Sequence, residues 1–326
     1  LNLRKLVADS FHMHYLVVES DYKKLEQIFH AEVAEDAFVQ LFNQRAKGSN
    51  LQLSRGIESN FVDHPKIKPL IEAYITRQRA VWQEELIESE AKLKEFEAKL
   101  AKKETKTALT EKDRLIKKIS KTKFKLNKKE DGQLYPYDHR IYPLYYAGII
   151  VAEGKKNVIR PMRFQIRPAD KDASFDKDSR LYKAKRESLT ATYFERIRYH
   201  AKTKSIWQPL FGKNHGILVV KSFHEFAESG KTKGFSLPQP FFVPCLYDHW
   251  HGAGDLGHGA GTTLDSFAVI TDQAPESVSA AGYHRSPIAM KANYLDAWLR
   301  PEGKSVDELQ ALLEDNQTAS YILEAA

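Results

Sequence analysis

Residues 216–226 read Gly-Ile-Leu-Val-Val-Lys-Ser-Phe-His-Glu-Phe. The first five are apolar or glycine. The last four, Phe223-His224-Glu225-Phe226, set polar groups between two rings. A short apolar run bounded by polar residues reads as a strand. Similar short runs recur at 144–152, 161–166, 240–246 and 266–271, separated by turns and loops. This texture predicts a strand-rich, mixed domain rather than a helix bundle.

Further out, Tyr15-Leu-Val-Val18 reads as another strand. Asp21 then predicts a cap for a helix through about His30, with Leu25, Ile28 and Phe29 on one face. Near the end, Leu295 and Trp298 mark a short helix, and Ser305 with Glu308 forms a capping box that opens another.

The long segment between these parts has a different period. From Ile67 the pattern is helical, and Leu86, Leu93, Phe96 and Leu100 follow a 7-3-4 spacing that aligns them on one seam. Residues 105–110 break the pattern, and Thr110-Glu111 reads as a new N-cap. A second helix then aligns Leu115, Ile119 and Leu126, and Asp131-Gly132 signals a turn. Two such helices joined by a short turn are expected to fold back as an antiparallel hairpin that hides both seams. The expected division is therefore residues 1–66 and 131–326 as an α+β domain, with 67–130 as an inserted helical hairpin.

Composition sets bounds on function. Hydrophobic residues make up 42% of the chain, which suits a globular protein and not a disordered one. No stretch approaches the roughly 18 consecutive apolar residues of a membrane-spanning helix, and the first residues carry Asp9 and no long apolar run, unlike a secretory signal. Cys245 is the single cysteine, so an internal disulfide and a cysteine-based zinc site are both excluded. A reducing, cytoplasmic setting follows as the expectation. The net charge is +7, and residues 77–130 hold 17 Lys and Arg against 10 Asp and Glu, leaving 33 of each sign elsewhere. The hairpin thus carries the whole excess, as a phosphate-attracting stripe or as an ordinary solvated helical surface.

Four stretches carry a family pattern in order. They are Pro161-Met162-Arg163-Phe164; Lys183-Ala184-Lys185-Arg186-Glu187-Ser188; the run 216–226; and 266–271 with His284-Arg285-Ser286-Pro287-Ile288, followed by Trp298-Leu299. They resemble, respectively, the Met-Arg-Trp segment, the Asn-Ala-Arg-x-Glu-Thr motif, the strand ending Gly-Phe-x-Glu-Trp, and the apolar strand with His-x-Arg-Met-Pro of the SOS-response-associated peptidase (SRAP) family. Met13-His14-Tyr15 is similar to that family's N-terminal Met-Cys segment.

The resemblance implies a mainly antiparallel β core with flanking helices and a protein of the DNA-damage (SOS) response in a bacterium or phage-infected cell. SRAP proteins bind single-stranded DNA and trap abasic sites through an N-terminal cysteine, whose amine and thiol close a thiazolidine ring on the sugar aldehyde. An Asn, a Glu and a His assist. On these positions Glu225 is the expected proton shuttle, with a surface glutamate as the plain alternative, and His284 the expected acid. Arg163, Phe164, Lys185, Arg186, Phe226 and Arg285 are the expected DNA contacts, the two rings keeping a stacking face where the family has tryptophan. The resemblance implies no cofactor.

The departures bear on the chemistry. His14 stands in the nucleophile slot, and an imidazole cannot form a thiazolidine. Lys183 replaces the Asn. It can pair with phosphate, act as a Schiff-base amine if desolvated, or be a surface lysine. Cys245, at the end of an apolar run, reads as a buried structural thiol. Peptidase, crosslinking or lyase-type activity is therefore expected to be impaired or altered.

Other signals are weaker. Gly252, Gly254 and Gly257 satisfy G-x-G-x-x-G, but a strand follows where the dinucleotide fingerprint needs a helix. His249, His251 and His258 with Asp248 and Asp255 have zinc-ligand chemistry or form a glycine-rich surface loop. Residues 193–207 interleave Arg and Lys with Tyr193, Phe194, Tyr199 and Trp207, which suits a single strand or an amphipathic helix. The expected partner is single-stranded DNA, abasic in one reading. The alternative is a non-catalytic protein whose 77–130 hairpin recruits another protein.

Overall fold

The structure is a computed structural model. It describes residues 13–102, 105–127, 133–177, 181, 183–189, 206–226, 232–253, 260–316 and 320–324. The chain forms two compact units, Leu1–Leu41 with Leu51–Asn60 and Leu134–Ala326, and Phe42–Asn50 with Phe61–Gln133.

The first unit is built on a mixed sheet of twelve strands. Its strands are β1 (Met13–Val18), β2 (Ala31–Val33), β3 (Gln52–Leu53), β4 (Arg140–Ile141), β5 (Tyr145–Glu153), β6 (Lys156–Phe164), β7 (Lys183–Lys185), β8 (His215–Phe226), β9 (Thr232–Ala253), β10 (Ala260–Gln273), β11 (Arg285–Pro287) and β12 (Ile322–Glu324). The five apolar runs of the sequence all lie in long strands, β5, β6, β8, β9 and β10. These five pair in a closed ring: β5 with β6 and β8, β8 with β9, β9 with β10, and β10 with β6. Closure leaves no free edge among them. The long pairings are antiparallel. The contacts of β10 with β6 and β7, of β2 with β6 and of β3 with β5 are short and parallel.

Side chains alternate across each strand, so one face of the ring supplies the core: Met162, Phe164, Leu218, Val220, Phe223, Phe235, Val243, Cys245, Phe267 and Val269 are all buried there. Gly216 is required where β8 crosses β5, because a Cβ at that position would meet Ile149 Cγ2 at 2.7 Å. Trp298 locks the same crossing, donating its Nε1–H to the Gly216 carbonyl at 3.0 Å and stacking on His215 at 3.8 Å.

Local signals fix the helices. In α1 (Tyr22–Phe29) the Asp21 side chain accepts from Lys24 N at 3.2 Å. Leu25 and Phe29 of α1 are buried with Tyr22, while the expected Ile28 faces out. The other α-helices among the described residues are α2 (Glu35–Ala46), α3 (Arg55–Glu58), α4 (Lys68–Lys102), α5 (Lys106–Asn127), α6 (Glu276–Ser279), α7 (Leu295–Leu299) and α8 (Val306–Glu314). The capping box of Ser305 and Glu308 opens α8 as expected.

In the second unit, α4 and α5 form the helical hairpin. Its second limb starts earlier than Thr110: Thr105 Oγ1 accepts from Ala108 N at 3.3 Å, and Thr110 lies inside α5. Leu115 and Ile119 are buried on its inner side. Lys118, Lys123 and Lys112 of α5 reach Glu85, Glu90 and Glu97 of α4 at 2.9, 2.8 and 3.3 Å. Part of the basic stripe is thus neutralised within the hairpin. No helix among the described residues is long and apolar enough to cross a membrane.

Candidate functional site

The end of β8 holds the most unusual group in the molecule. Phe223 and Glu225 are two positions apart and therefore share the inner face of the ring. Phe223 stacks on Phe235 of β9 at 5.2 Å, and Glu225 pairs with Lys233 one step further along the same two strands. Glu225 consequently has the aromatic core beneath it and is 0% exposed. Both carboxyl oxygens are buried with no hydrogen-bond partner among the described residues. Burial pushes this carboxyl well above the usual carboxylate range, although Lys183 pulls the other way. It is neither a surface glutamate nor a paired one.

Three further groups converge on it. Lys183 opens β7, which lies parallel to β10 with Lys183 beside Val269. That register puts Lys183 on the face of Phe267 and Val269, the core face. Burial draws its amine down to about 7 against the attraction of Glu225, and Lys185 and Arg285 add to the depression. Lys183 is therefore not a plain surface lysine. Tyr283 packs edge-on against Phe235 at 5.7 Å, with Lys233 5.9 Å from its ring centre. The Tyr283 hydroxyl is buried without a partner among the described residues. Burial, and then the charge of Glu225, raise its pKa. Lys233 donates to the Ala281 carbonyl at 3.2 Å.

Sequence reasoning missed Tyr283 and Lys233. Tyr283 directly precedes His284, and Lys233 lies near the start of β9, so only the tertiary fold brings them in.

The N-terminal strand reaches this same end. Met13 pairs with Glu225 and Tyr15 with His224, with an irregularity of register between them. The backbone of residue 14 therefore runs past Glu225, while the His14 side chain lies outside the described residues. His224, on the outer face, stacks on Tyr15 at 4.2 Å.

The remaining expected residues divide. His284 is exposed immediately before β11, beside Tyr283 in sequence. Arg285 is held by Glu187 at 2.7 and 2.9 Å and by the Thr271 carbonyl at 2.7 Å. Arg186 is held by Asp272 and Glu314, each at 2.7 Å. Lys185 is exposed, and Phe226 is 47% exposed at the tip of β8.

Arg163 and Phe164 are not part of this group. Phe164 is 0% exposed and stacks on Phe267 at 5.2 Å, so its face is taken by the core. Arg163 pairs with Ser266, three residues along β10 from Val269, which turns it to the opposite face of the sheet. There it donates to Asp176 at 2.7 and 2.8 Å, and Arg167 binds the same carboxylate. Against the cost of burial, the hydrogen bonds from Arg167 and then Arg163 hold Asp176 below the usual carboxylate range. Arg163 is thus a buried structural cation and not a ready phosphate ligand. The reason is the loop residue Asp176, whose proximity only the fold reveals.

Cys245 is 0% exposed, and burial pushes its thiol far up, which suits an inert core residue. The expected histidine-rich loop is strand in its first part: Asp248, His249 and His251 lie in β9, where His249 bonds Asp265 at 2.7 Å and Asp248 accepts from Ala169 N at 2.8 Å. No metal-binding cluster is present among the described residues. His258 and Asp255, and the 193–207 segment apart from Ile206 and buried Trp207, lie outside the described residues. A cavity of about 540 Å³ lined by Glu32, Asp36, Glu153, Lys156 and Arg160 contains none of the Glu225 group. Its two cations already face Glu32 and Glu153 at 2.8 and 2.6 Å.

Comparison with known proteins adds to this geometry. No curated protein matches the chain. Among solved structures, the X-ray structure of a phage-related protein from Bordetella bronchiseptica is similar at 13% identity, covering 61% of this chain and 84% of that one, with a TM-score of 0.40. The family model described as SOS response associated peptidase (SRAP) matches residues 105–324. That span takes in all four motif stretches, Glu225 and Lys183, and stops short of residues 13–15. Over two thirds of its length, and with the motif glutamate buried at the end of a barrel strand, this chain belongs to the SOS-response-associated peptidase family.

Proposed function

We propose that the protein binds single-stranded DNA and presents the Glu225 end of its barrel to an abasic-site sugar. The observation that carries this reading is the buried, unpartnered carboxyl of Glu225 with Lys183 and Tyr283 around it. Native proteins leave few buried polar groups unsatisfied, and those that remain concentrate where a ligand or reaction is served. Exposed Lys185 and Phe226 at the same end supply a cation and a ring to meet phosphate and base. The thiol chemistry of the family is altered here, because the one cysteine is sealed in the core.

Fluorescence anisotropy with a labelled single-stranded oligonucleotide, repeated from low to high salt, tests the reading. Binding that prefers the single strand to the duplex and weakens steeply with salt is expected. Affinity indifferent to salt would count against it.

A second reading rests on the hairpin, where Ile87 and Phe124 are 68% and 71% exposed. In it, α4 and α5 recruit a protein partner through the faces they leave uncovered. Removal of residues 77–130 would then abolish a complex visible by native mass measurement and spare DNA binding.

A further inference from the structure

We infer that Lys183 is the nucleophile of this site and forms an imine with an aldehyde, with Glu225 as the acid that expels water. The inference deepens the proposed function, on which its choice of DNA substrate rests, and it gives this chain an amine of its own in place of a cysteine.

Three observations lead to it. The register of β7 on β10 places Lys183 on the core face beside Val269, where it is half-buried. Glu225, in the electrostatic reach of Lys183, has both oxygens buried with no partner among the described residues. Tyr283 contributes a second buried, unpartnered polar atom at the same place. The structural alternative is a buried salt bridge, and it fails here: a Lys–Glu pair kept for stability would bond the carboxylate, and no hydrogen bond reaches either Glu225 oxygen among the described residues. A desolvated lysine beside a proton-holding acid is instead the pairing that carbonyl condensation needs. Burial shifts both groups towards the protonation states the reaction uses, the amine towards neutral and the carboxyl towards its acid form.

The step balances without an outside reagent. The Lys183 Nζ lone pair attacks the aldehyde carbon, the C–N bond forms, and the carbonyl electron pair moves to oxygen. A proton passes from nitrogen to that oxygen and gives a neutral carbinolamine. Glu225 then protonates the hydroxyl, the C–O bond breaks, and water leaves. The products are a protonated imine on Lys183 and the Glu225 carboxylate, two opposite charges at one place. Tyr283 is placed to donate to the oxygen while it carries charge.

The test uses the full chain. Wild-type protein is incubated with sodium cyanoborohydride and, separately, with propionaldehyde and with a single-stranded oligonucleotide carrying one abasic site, then digested and mapped by mass spectrometry. At limiting aldehyde, Lys183 is expected to take the label at least roughly tenfold faster than any exposed lysine. The abasic strand is expected to give a denaturation-resistant adduct on the same residue, and Lys183→Arg to reduce it to background. Because mapping is done on wild-type protein, a variant that fails to fold leaves the test intact. Label spread over surface lysines with Lys183 unmarked overturns the inference. If that occurs while single-stranded DNA still binds, the DNA reading survives and this one falls. If propionaldehyde marks Lys183 and DNA neither binds nor crosslinks, the nucleophile stands and the DNA assignment falls.

Discussion

Two charged clusters lie along β10, one beside Ser266 and one beside Val269, and they treat a carboxyl in opposite ways. Asp176 receives two guanidinium groups and stays ionised below its ordinary range. Glu225 has no hydrogen-bond partner among the described residues and is driven far the other way. Both lie within the same fold and both neighbour a cation taken from a family motif. The difference is completeness: the first cluster satisfies its carboxylate and so holds the structure together, whereas in the second the Glu225 and Tyr283 oxygens have no hydrogen-bond partner among the described residues, and the proposed function rests on that feature. Motif identity alone did not distinguish Arg163 from Lys183. Hydrogen-bond accounting does.

The largest expected effect comes from undoing the satisfied cluster. Asp176→Ala strands Arg163 and Arg167 in the interior and is expected to cost about 3 kcal/mol in urea unfolding at pH 7, without changing the single-strand preference. A loss under about 0.5 kcal/mol would place that cluster with weak surface pairs and blur the contrast.

The unsatisfied cluster should respond in the opposite direction. Lys183 gives up its proton near 7 in the fold and at 10.5 when unfolded. Between those values the unfolded chain binds more protons, so stability rises with pH. Lys183→Met removes that slope and is expected to stabilise by about 2 kcal/mol near pH 6, after allowance for partial solvent screening. The gain should shrink to nothing above about pH 10.5, measured by urea unfolding at several pH values. Glu225 behaves as the mirror image. Its folded carboxyl titrates above the ordinary 4.5, so the fold keeps a proton that the unfolded chain has released, and stability falls as pH rises through that window. Glu225→Gln is expected to match wild type near pH 4 and exceed it by about 1 kcal/mol at pH 8, while losing aldehyde trapping. A destabilising Glu225→Gln at pH 8 would mean that the carboxylate is paired after all.

The smallest effect belongs to the hairpin. Glu85→Gln breaks the exposed pair with Lys118 and is expected to cost about 0.3 kcal/mol, fading as salt is added to a thermal melt.

Much of this architecture is legible in the chain because each feature is local. The five apolar runs report β5, β6, β8, β9 and β10 directly, and Asp21 and the Ser305–Glu308 pair mark helix starts by side chains that satisfy nearby backbone N–H groups. The hairpin follows from the leucine period, with only the cap displaced from Thr110 to Thr105. What escapes is what depends on distant partners. The full lengths of β9 and β10 are hidden because Pro238, Asp248, His249, His251 and Asp265 interrupt their apolar residues. The burial of Glu225 is hidden because His224 and Lys221, its sequence neighbours, read as solvent-facing, and Phe235 and Tyr283 reach it only through strand pairing. The retirement of Arg163 and Phe164 from the DNA surface needs Asp176 and Phe267, neither of which a motif scan would join to them.

The antiparallel pairing of β1 with β8 has a consequence for how the protein is made. Residues 13–18 emerge from the ribosome early, yet their partners at 220–225 are synthesised much later. Non-local pairing of this kind is slow and must wait for the partner segment. Until residues 220–225 are made, the side of β1 that faces β8 is therefore an unclaimed β edge, open to chaperones, and the Glu225 end of the barrel cannot close.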